Sequence, residues 1–474
     1  MARTRLQFLS GAEIRRIHDT SIKVLEEVGV LVNSASVVRL LIDSGCRMSK
    51  DEKRVLMPES VIKSALAKAP KSLLLASRDG KHDMKIPTED RTYAANGGEG
   101  VYITDLATGE SRPSTTEDVG RFAALVEALD QVDFVWPMVG AIEQPIHVKT
   151  LVELKMCFES STKHVQSMAA DEEEAKRVVQ LASLLTGGPD ALAKRPIVSA
   201  VQCPISPLTF ESGLTEGQVE LAKAGIPVVA MVATVMGLTS PVTISGTLAQ
   251  VNAENLASLV ISQAAKKGAP WIYGSDSTPG DLRTGSIDYG ALETNLVRTG
   301  AGQMGRFYGL PTMVSGLGIE QTSRLLGSVK EGVPYMMLQA LVPSDLGSGF
   351  GGVDQAAGAS FEQLVADAWI WGTAREFVRS FGTDDAAISF ETIREAGLDG
   401  NFLGKRHTLS RFKQEFMATS NPDAVFRGNG ESEPRGTLLK KAKEAADMIL
   451  SAPRHGLVTK EQSAKMEELI GKWR

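Results

Sequence analysis

The chain has 474 residues, of which 43% are hydrophobic and 23% are charged, and its formal net charge is -6. This composition is typical of a globular protein, and the lack of a Lys/Arg block disfavours nucleic acid or an anionic membrane as the main partner. The three cysteines, Cys46, Cys157 and Cys203, form neither a CxxC pair nor a Cys/His cluster. The sequence therefore predicts neither a disulfide framework nor a zinc site.

The N-terminal segment predicts an amphipathic helix instead of a signal peptide. Ile14, Ile17 and Leu25 recur near helical spacing, and Ser10 stands where an N-cap would be. We interpret residues 1–130 as a mainly helical region with a few short strands. The longest apolar runs of the chain have the length of strands, so we expect no membrane span and a cytoplasmic location.

From about Phe134 onward, short apolar runs alternate with loops and helices. The runs are FVWPMVGAI, KHVQSMA, RPIVSAVQCPISPLTF, IPVVAMVATVMG, APWIYGSD and LPTMVSGLG, followed by a glycine-rich turn. Continuous apolar runs are typical of parallel strands buried on both faces. Seven or eight such units predict an α/β protein with a (β/α)₈ TIM barrel over residues 131–395. No GxGxxG follows the first run, which disfavours a dinucleotide-binding fold. We expect residues 396–474 to form a helical extension that packs on the barrel.

In a TIM barrel the functional residues lie where strands end and loops begin. The fifth predicted strand runs into a long polar loop, and a loop of that length is usually functional. The candidate substrate-binding residues at these strand ends are Tyr273, Asp276, Asp281, Arg283, Tyr289, Gln321 and Phe350. Asp281 and Arg283 could equally cap the loop, and Tyr273 could equally be a core residue.

The glycine-rich loop GSGFGGVDQAAG lacks the Lys-Ser/Thr of a P-loop. It could bind a phosphate or let a large flat ligand approach the backbone, and we favour the second reading. Gly351 and Gly352 are therefore the candidates for cofactor contact.

Acid–base machinery is sparse at the predicted strand ends. The six histidines fall elsewhere, and no lysine ends a predicted strand, which disfavours a hydrolase triad and a Schiff-base lyase or aldolase. Cys203 has no neighbouring histidine and is interpreted as a small buried side chain. The residues thus indicate a barrel enzyme without a certain catalytic residue, whose chemistry is supplied by a cofactor.

Five segments resemble the trimethylamine:corrinoid methyltransferase family, in the same order and over nearly the whole chain. They are NGGEGVYITDLATGESRPSTTED, YGSDSTPGDLRTGSIDYGALE, RFYGLPTMVSGLG, ASFEQLVADAWIWG and NFLGKRHTLSRFKQEF. The resemblance implies a TIM barrel that transfers a methyl group from an amine to the cobalt of a separate corrinoid protein. It implies that cob(I)alamin comes from that partner and that this chain holds no tightly bound cofactor or metal.

The chain departs from the archaeal trimethylamine enzymes because it contains no pyrrolysine, whose place is expected near residues 316–322. It therefore resembles the branch that demethylates quaternary amines, of which glycine betaine is the best-known substrate. In this reading aromatic faces and a carboxylate (Asp276, Asp281 or Glu320) hold the ammonium, and Arg283 pairs with the substrate carboxylate. Open alternatives are a betaine-binding barrel without activity and a methyltransferase for carnitine, proline betaine or trimethylamine. The oligomeric state stays open, a homo-oligomer included.

Overall fold

A closed barrel of eight parallel strands forms the centre of the molecule. The computed structural model describes residues 6–89, 91–318, 329–398, 400–415, 437–452 and 457–474. The strands are β1 (Tyr93–Asn96), β2 (Phe134–Val135), β3 (His164–Met168), β4 (Val198–Gln202), β5 (Val228–Val232), β6 (Trp271–Ser275), β7 (Thr312–Ser315) and β8 (Leu346–Phe350). Each strand pairs with its sequence neighbours, and β8 pairs with β1 to close the ring. The predicted TIM-barrel fold is confirmed.

The barrel begins earlier than the sequence patterns suggest. Strand β1 lies inside the segment that we assigned to the N-terminal region. The six apolar runs from Phe134 onward supply β2 to β7, and the glycine-rich segment supplies β8. The segment YAAN is short and alanine-rich, with little of the β-branched and aromatic content that marks strands. Pairing with β8 on one side and β2 on the other makes it a strand.

Helices cover the outside of the barrel, and further helices precede and follow it. They are α1 (Gly11–Lys23), α2 (Ala35–Asp43), α3 (Glu59–Lys68), α4 (Thr116–Ala128), α5 (Ile146–Ser160), α6 (Glu172–Thr186), α7 (Pro189–Lys194), α8 (Ser212–Ala224), α9 (Ile244–Ala265), α10 (Leu292–Phe307), α11 (Val329–Leu341), α12 (Phe361–Phe377), α13 (Asp385–Ile388), α14 (Phe390–Ala396), α15 (Arg406–Glu415), α16 (Thr437–Ser451) and α17 (Lys460–Gly471). Local sequence sets their ends: Asp171 caps the start of α6, and Gly187 at φ +89° ends it.

The structure also contains short strands that are not part of the barrel. They are Leu31–Val32, Arg47–Met48, Val55–Leu56, Leu73–Leu75, Met84–Ile86, Tyr102–Thr104, Ser111–Pro113, Thr209–Phe210, Val235–Met236, Thr278–Asp281, Ser286–Ile287, Gly352–Val353 and Gly358–Ala359, and a π-helical turn spans Val24–Val28. Within the described ranges, every helix is too short or too polar to cross a lipid bilayer.

The N-terminal end of the barrel is plugged, which leaves the C-terminal end as the open one. The hairpin Leu73–Leu75/Met84–Ile86 contributes Leu75, Met84 and Ile86 to the apolar cluster inside the barrel. These side chains share that cluster with inward-facing residues such as Phe134 and Met313. A ligand that enters the barrel itself is therefore expected to do so where the strands end.

The flanking helices pack on the outside. Helices α1, α2 and α3 all contact α9, whose 22 residues are buried almost all round. Helix α16 packs on α12 and α4, and α17 packs on α5 and α6. The flanks thus cover the barrel from outside, and the N-terminal flank also reaches the loop after β4, where Leu31–Val32 pairs in parallel with Thr209–Phe210.

Candidate active site at the barrel mouth

The loops at the C-terminal ends of the strands enclose a cavity of about 90 Å³. Its walls come from the segments that follow β1, β2, β6, β7 and β8. The lining residues are Gly97, Gly98, Trp136, Met138, Asp276, Tyr289, Arg298, Ser315, Gly316, Ser348, Gly349, Gly352 and Ala356. This position is where active sites form in barrels of this kind.

An ion pair between Asp276 and Arg298 dominates one wall of the cavity. The Arg298 guanidinium comes from helix α10, is only 2% exposed, and places Nη2 2.6 Å from Asp276 Oδ1. Its Nε donates to the Ser277 carbonyl at 3.1 Å. The Asp276 carboxylate also accepts from the hydroxyls of Tyr289, at 3.2 Å, and Ser315. Burial would lower the pKa of Arg298, but the charge of Asp276 outweighs it and the pKa is raised.

A glycine makes room for this arginine. Gly316 has φ +82°, and a Cβ atom there would lie 1.7 Å from Arg298 Nη1. The Tyr335 hydroxyl, from helix α11, donates to the Ser315 carbonyl at 2.6 Å and so fixes the end of β7. Any side chain at position 316 would displace the guanidinium, so the pair depends on this close approach.

Two aromatic rings line the cavity. The indole of Trp136 lies against Gly98, where a Cβ atom would come within 2.5 Å of the ring. Its backbone N–H donates to Asn96 Oδ1 at 3.0 Å, which ties the end of β2 to the end of β1. The ring of Tyr289 lies 5.2 Å from the guanidinium carbon of Arg298. Among the described residues, the buried Nε1 of Trp136 has no hydrogen-bond partner. The cavity therefore has aromatic walls beside an ion pair.

A group of carboxyls lies next to the cavity on the side of β1 and β2. Glu99 directly follows the lining residue Gly98, and burial raises the pKa of its carboxyl against the opposing charge of Lys149. Burial also raises the pKa of Glu153 to about 7. The Glu153 carboxyl lies 3.3 Å from Lys149 Nζ and accepts from the Ala141 N–H at 2.8 Å. Glu153 can therefore hold a proton near neutral pH, and burial favours the protonated form of Glu99.

Other reactive chemistry has little support. Burial raises the pKa of the Cys203 thiol to about 12, which keeps it protonated and argues against a thiolate nucleophile. Across the part of the chain that the structure describes, no group of three or more His, Cys, Asp or Glu side chains could hold a metal ion.

Three of the predicted residues, Asp276, Tyr289 and Gly352, come together in the cavity wall. Gly351 lies just behind it, with its N–H donating to Asp367 Oδ2 at 2.9 Å. Gln321, with Glu320 and Thr322, lies outside the described residues, as does part of the segment where the resemblance puts pyrrolysine.

Tyr273 and Phe350 face away from the cavity, which corrects our expectation that they contact a ligand. The Tyr273 hydroxyl donates to Asn252 Oδ1 of helix α9 at 3.2 Å, and the side chain is buried. Phe350 packs near Trp371 of helix α12, with ring centroids 6.5 Å apart. Successive side chains of a strand point to opposite faces. Because Ile272 occupies the barrel interior, its neighbour Tyr273 must point to the helices.

Asp281 and Arg283 also lie away from the cavity wall. The long loop folds into a hairpin, in which Thr278–Asp281 pairs antiparallel with Ser286–Ile287. Arg283 lies between these strands, is 90% exposed, and pairs with Asp281 through Nε and Oδ1 at 3.2 Å. Two aspartates of this loop thus have different surroundings: Asp276 lies in the cavity and Asp281 on the hairpin.

The sequence reasoning missed Arg298, Trp136, Ser315 and Lys149. Arg298 lies on a helix, where a search of strand ends does not look, yet an arginine on the small and apolar face of NLVRTGAGQMGRF was a signal. Trp136 directly follows the apolar residues of β2 and was within reach of the strand-end rule. Lys149 extends from helix α5 toward the loop after β2. Its Nζ lies so close to Gly140 that a Cβ atom added there would be 3.1 Å away. Ser315 is the last residue of β7, and nothing in the neighbouring sequence indicates its role.

Comparison with known proteins gives the family. The sequence profile described as trimethylamine methyltransferase (MTTB) matches residues 2–473. The chain is 30% identical to trimethylamine methyltransferase MttB of Desulfitobacterium hafniense, over 93% of this chain and 88% of that one. It is 27% identical to a glycine betaine methyltransferase of the same species, over 88% and 87% of the two chains. A solved monomethylamine methyltransferase (MtmB) of Methanosarcina barkeri aligns with 96% of this chain and 92% of that chain, at 11% identity and a TM-score of 0.49. This chain is a methyltransferase that belongs to the trimethylamine methyltransferase (MTTB) family.

Proposed function

We propose that this protein transfers a methyl group from a small quaternary amine, with glycine betaine as the leading candidate, to the cob(I)alamin of a separate corrinoid protein. The observation that supports this most is the cavity at the barrel mouth, where the Trp136 and Tyr289 rings and the Asp276 carboxylate line one small space. Aromatic faces and a carboxylate are what a quaternary ammonium needs, since it has no proton to donate.

The charges of the site suit a zwitterion. Asp276 and Arg298 form an ion pair that carries no net charge, with its negative end at Asp276 and its positive end at Arg298. A betaine can align antiparallel to this pair, with its ammonium toward Asp276 and its carboxylate toward Arg298. The Trp136 face would contribute about 0.5–2 kcal/mol to holding the ammonium. Glu99, beside the cavity wall, adds negative charge on the same side when it is ionised.

This reaction needs positioning more than acid–base chemistry. The bond between nitrogen and the departing methyl group breaks, nitrogen keeps the electron pair, and a neutral tertiary amine leaves. The reduced corrinoid of the partner supplies the nucleophile. A corrin ring is far larger than a cavity of about 90 Å³, so the partner has to approach from outside the mouth. The work of this chain is then to hold the substrate with one methyl group directed outward.

Trimethylamine is the second candidate, and one feature of the site favours it. A tertiary amine leaves readily only when its nitrogen is protonated, and Glu153 has a pKa of about 7 because it is buried. A relative that is 30% identical also carries the name trimethylamine methyltransferase. In this reading the Glu153 carboxyl keeps the substrate protonated near neutral pH.

The test mixes the protein with cob(I)alamin and either substrate, and follows the conversion to methylcobalamin by absorbance. We expect conversion with glycine betaine and none with trimethylamine. The reverse pattern would establish the second candidate. Binding of betaine by calorimetry without any conversion would instead indicate a betaine-binding barrel without activity. The rate of conversion should also be compared between wild type and a Trp136→Leu variant. If the substrate binds in the cavity at the barrel mouth, the variant should convert it more slowly.

A further inference from the structure

A second cavity lies at the base of the barrel, at the end opposite to the mouth. It measures about 270 Å³ and is enclosed by the hairpin that plugs the barrel, by the starts of β1, β2 and β3, and by the end of helix α12. Charged side chains form most of its wall. We call this space the base cavity, and it shares no residue with the cavity at the mouth.

Arg375 of helix α12 lines the base cavity without a partner for its guanidinium. Across the described residues, this group makes neither a hydrogen bond nor an ion pair. Burial lowers the pKa of Arg375, and the neighbouring charge of Arg91 lowers it further, although Asp133 has the opposite effect. A cation that is partly removed from water is stabilised by an anion close to it. The N–H groups of Arg375 are therefore available to a ligand in the cavity.

Arg91 adds a second donor to the same wall. Its Nη2 donates to Asp133 Oδ1, but its Nε is buried and has no hydrogen-bond partner in the part of the chain that the structure describes. The Arg91 guanidinium carbon lies 4.3 Å from the centroid of the Tyr93 ring, which holds this side chain against the wall. A buried donor without a partner is uncommon in a folded protein and indicates a water, an ion or a ligand beside it.

Lys163 contributes positive charge to the base cavity but no free donor. Its Nζ donates to the carbonyls of Val126, Leu129 and Val132 at 2.6, 3.0 and 2.7 Å. Three acceptors match the three N–H groups of an ammonium, so this side chain carries its charge. It is 2% exposed, and within the described ranges no carboxylate lies at ion-pair distance from it. Its charge therefore acts on whatever occupies the cavity.

The wall of the base cavity carries a surplus of positive charge. Asp83 Oδ2 lies 2.9 Å from Nη2 of Arg195, which is outside the wall. Asp133 pairs with Arg91. The charged side chains of the wall that then remain are three cations and one carboxylate, namely Lys81, Lys163, Arg375 and Asp130. The surplus of two positive charges is what a doubly charged anion would neutralise.

We infer that the base cavity is a binding site for a phosphate group, carried either by inorganic phosphate or by a small phosphorylated metabolite. The planar fork of an arginine matches the oxygens of phosphate, and two arginines line this cavity with donors to spare. Its volume of about 270 Å³ has room for several waters of ~30 Å³ each, or for a phosphate group in their place. A bound phosphate would connect the plugging hairpin with helix α12 and so stabilise the folded chain. The site lies at the other end of the barrel from the mouth and stands independently of the proposed substrate.

The test is a calorimetric titration of the full chain with inorganic phosphate, at an ionic strength held constant with sodium chloride. We expect one phosphate per chain, with a dissociation constant of about 1 mM or lower, and a higher melting temperature at saturation. Acetate, which carries a single charge, should bind at least about ten-fold more weakly. No saturation up to about 20 mM phosphate would overturn the inference, and so would an equal response to chloride or acetate.

Arg375→Gln separates a binding role from a structural one. Because the guanidinium has no partner to lose, we expect the melting temperature without phosphate to stay the same or rise. The dissociation constant of phosphate should increase about ten- to a hundred-fold. Arg39→Gln removes the same charge from an exposed position on helix α2, and as the matched control it should bind phosphate like wild type. A lower melting temperature together with unchanged phosphate affinity in Arg375→Gln would show a structural arginine and overturn the inference.

Asp130→Asn tests the sign of the charge effect. It removes an exposed carboxylate of the wall, so phosphate should bind about two- to ten-fold more tightly. Unchanged or weaker binding in this variant would contradict a charge-selective site. Titration with glycerol 3-phosphate then distinguishes the two sources, and both results support a phosphate site. Tighter binding than inorganic phosphate indicates a phosphorylated metabolite, whereas weaker binding indicates the free ion.

Discussion

Two aspartates of one loop, Asp276 and Asp281, each pair with an arginine, and the two pairs differ in almost every other respect. Arg298 is 2% exposed and its Asp276 lines the cavity, whereas Arg283 is 90% exposed and its Asp281 lies on a hairpin. An exposed pair contributes about 0–1 kcal/mol, while breaking a buried pair costs several times as much. The residue types alone do not distinguish them. What separates the two is helix α10, which brings Arg298 into the barrel mouth.

The largest effect should follow from breaking the buried pair. Arg298→Ala leaves the Asp276 carboxylate without its ion partner, and we expect the free energy of unfolding to fall by about 3 kcal/mol. Arg298→Lys should recover only part of it, because an ammonium cannot reproduce the contacts of Nε and Nη2 together. Urea unfolding followed by tryptophan fluorescence measures both. If the alanine variant loses less than about 1 kcal/mol, the buried pair contributes no more to stability than the exposed pair does, which would contradict the comparison.

Removing the negative end of the same pair should lower stability as well, because it leaves the Arg298 guanidinium without its ion partner, and it should also weaken the action on the substrate. Asp276→Asn keeps much of the shape but loses the charge that faces an ammonium, and we expect kcat/KM for glycine betaine to fall about ten- to a hundred-fold. The measurement is the rate of methylcobalamin formation at low substrate concentration. Ser348→Ala, at another lining position, is the control and should change the rate far less. An unchanged rate in Asp276→Asn would remove this carboxylate from the site.

The carboxyl group beside the cavity predicts a dependence of stability on pH. Burial raises the pKa of Glu153 from 4.5 to about 7, so the folded protein binds its proton more tightly than the unfolded chain does. The sign is then that stability is greater below pH about 4.5 and is lost as pH rises toward about 7. We expect this contribution, of the order of 2 kcal/mol, to disappear in Glu153→Gln.

The comparison is between unfolding curves of wild type and Glu153→Gln across that pH range. The curves should converge at the acid end and separate as pH rises, with the glutamine variant the more stable. Parallel curves would show that Glu153 titrates normally.

The aromatic wall should contribute a moderate amount. Trp136→Leu removes the indole face, and we expect the dissociation constant of a quaternary amine to rise about two- to thirty-fold. Trp136→Phe should lie between the leucine variant and wild type, since a smaller ring attracts a cation less strongly. Titration with tetramethylammonium isolates this effect, because that ion has no carboxylate. Equal affinities in all three proteins would contradict an aromatic contact.

The smallest effect should come from the exposed pair. Arg283→Ala removes a guanidinium whose side-chain bonds, within the described ranges, go to its hairpin neighbour Asp281. We therefore expect the free energy of unfolding to change by less than about 0.5 kcal/mol. Thermal melts of wild type and variant measure this change. A clear loss of stability would show that the hairpin packs more firmly than its exposure indicates.

Particular residues show how far the sequence alone could lead. Continuous apolar runs predicted β2 to β7, because strands buried on both faces need apolar side chains at every position, whereas the segment of β8 was interpreted as a glycine-rich turn. Strand β1 was not predicted because the segment YAAN has little intrinsic β-strand propensity. Its conformation depends on pairing with β8 and β2. Asp276 and Tyr289 were within reach because they leave a strand end. Arg298 was not, since its place in the mouth depends on how helix α10 packs and on the absence of a side chain at Gly316.

Calorimetric titration of glycine betaine into wild type, Asp276→Asn and Arg283→Ala is the most direct test of the claim that the buried pair, and not the exposed one, belongs to the substrate site. We expect wild type and Arg283→Ala to bind with equal affinity, and Asp276→Asn to bind at least about ten-fold more weakly. Weakened binding in Arg283→Ala together with unchanged binding in Asp276→Asn would contradict the account and move the site to the hairpin.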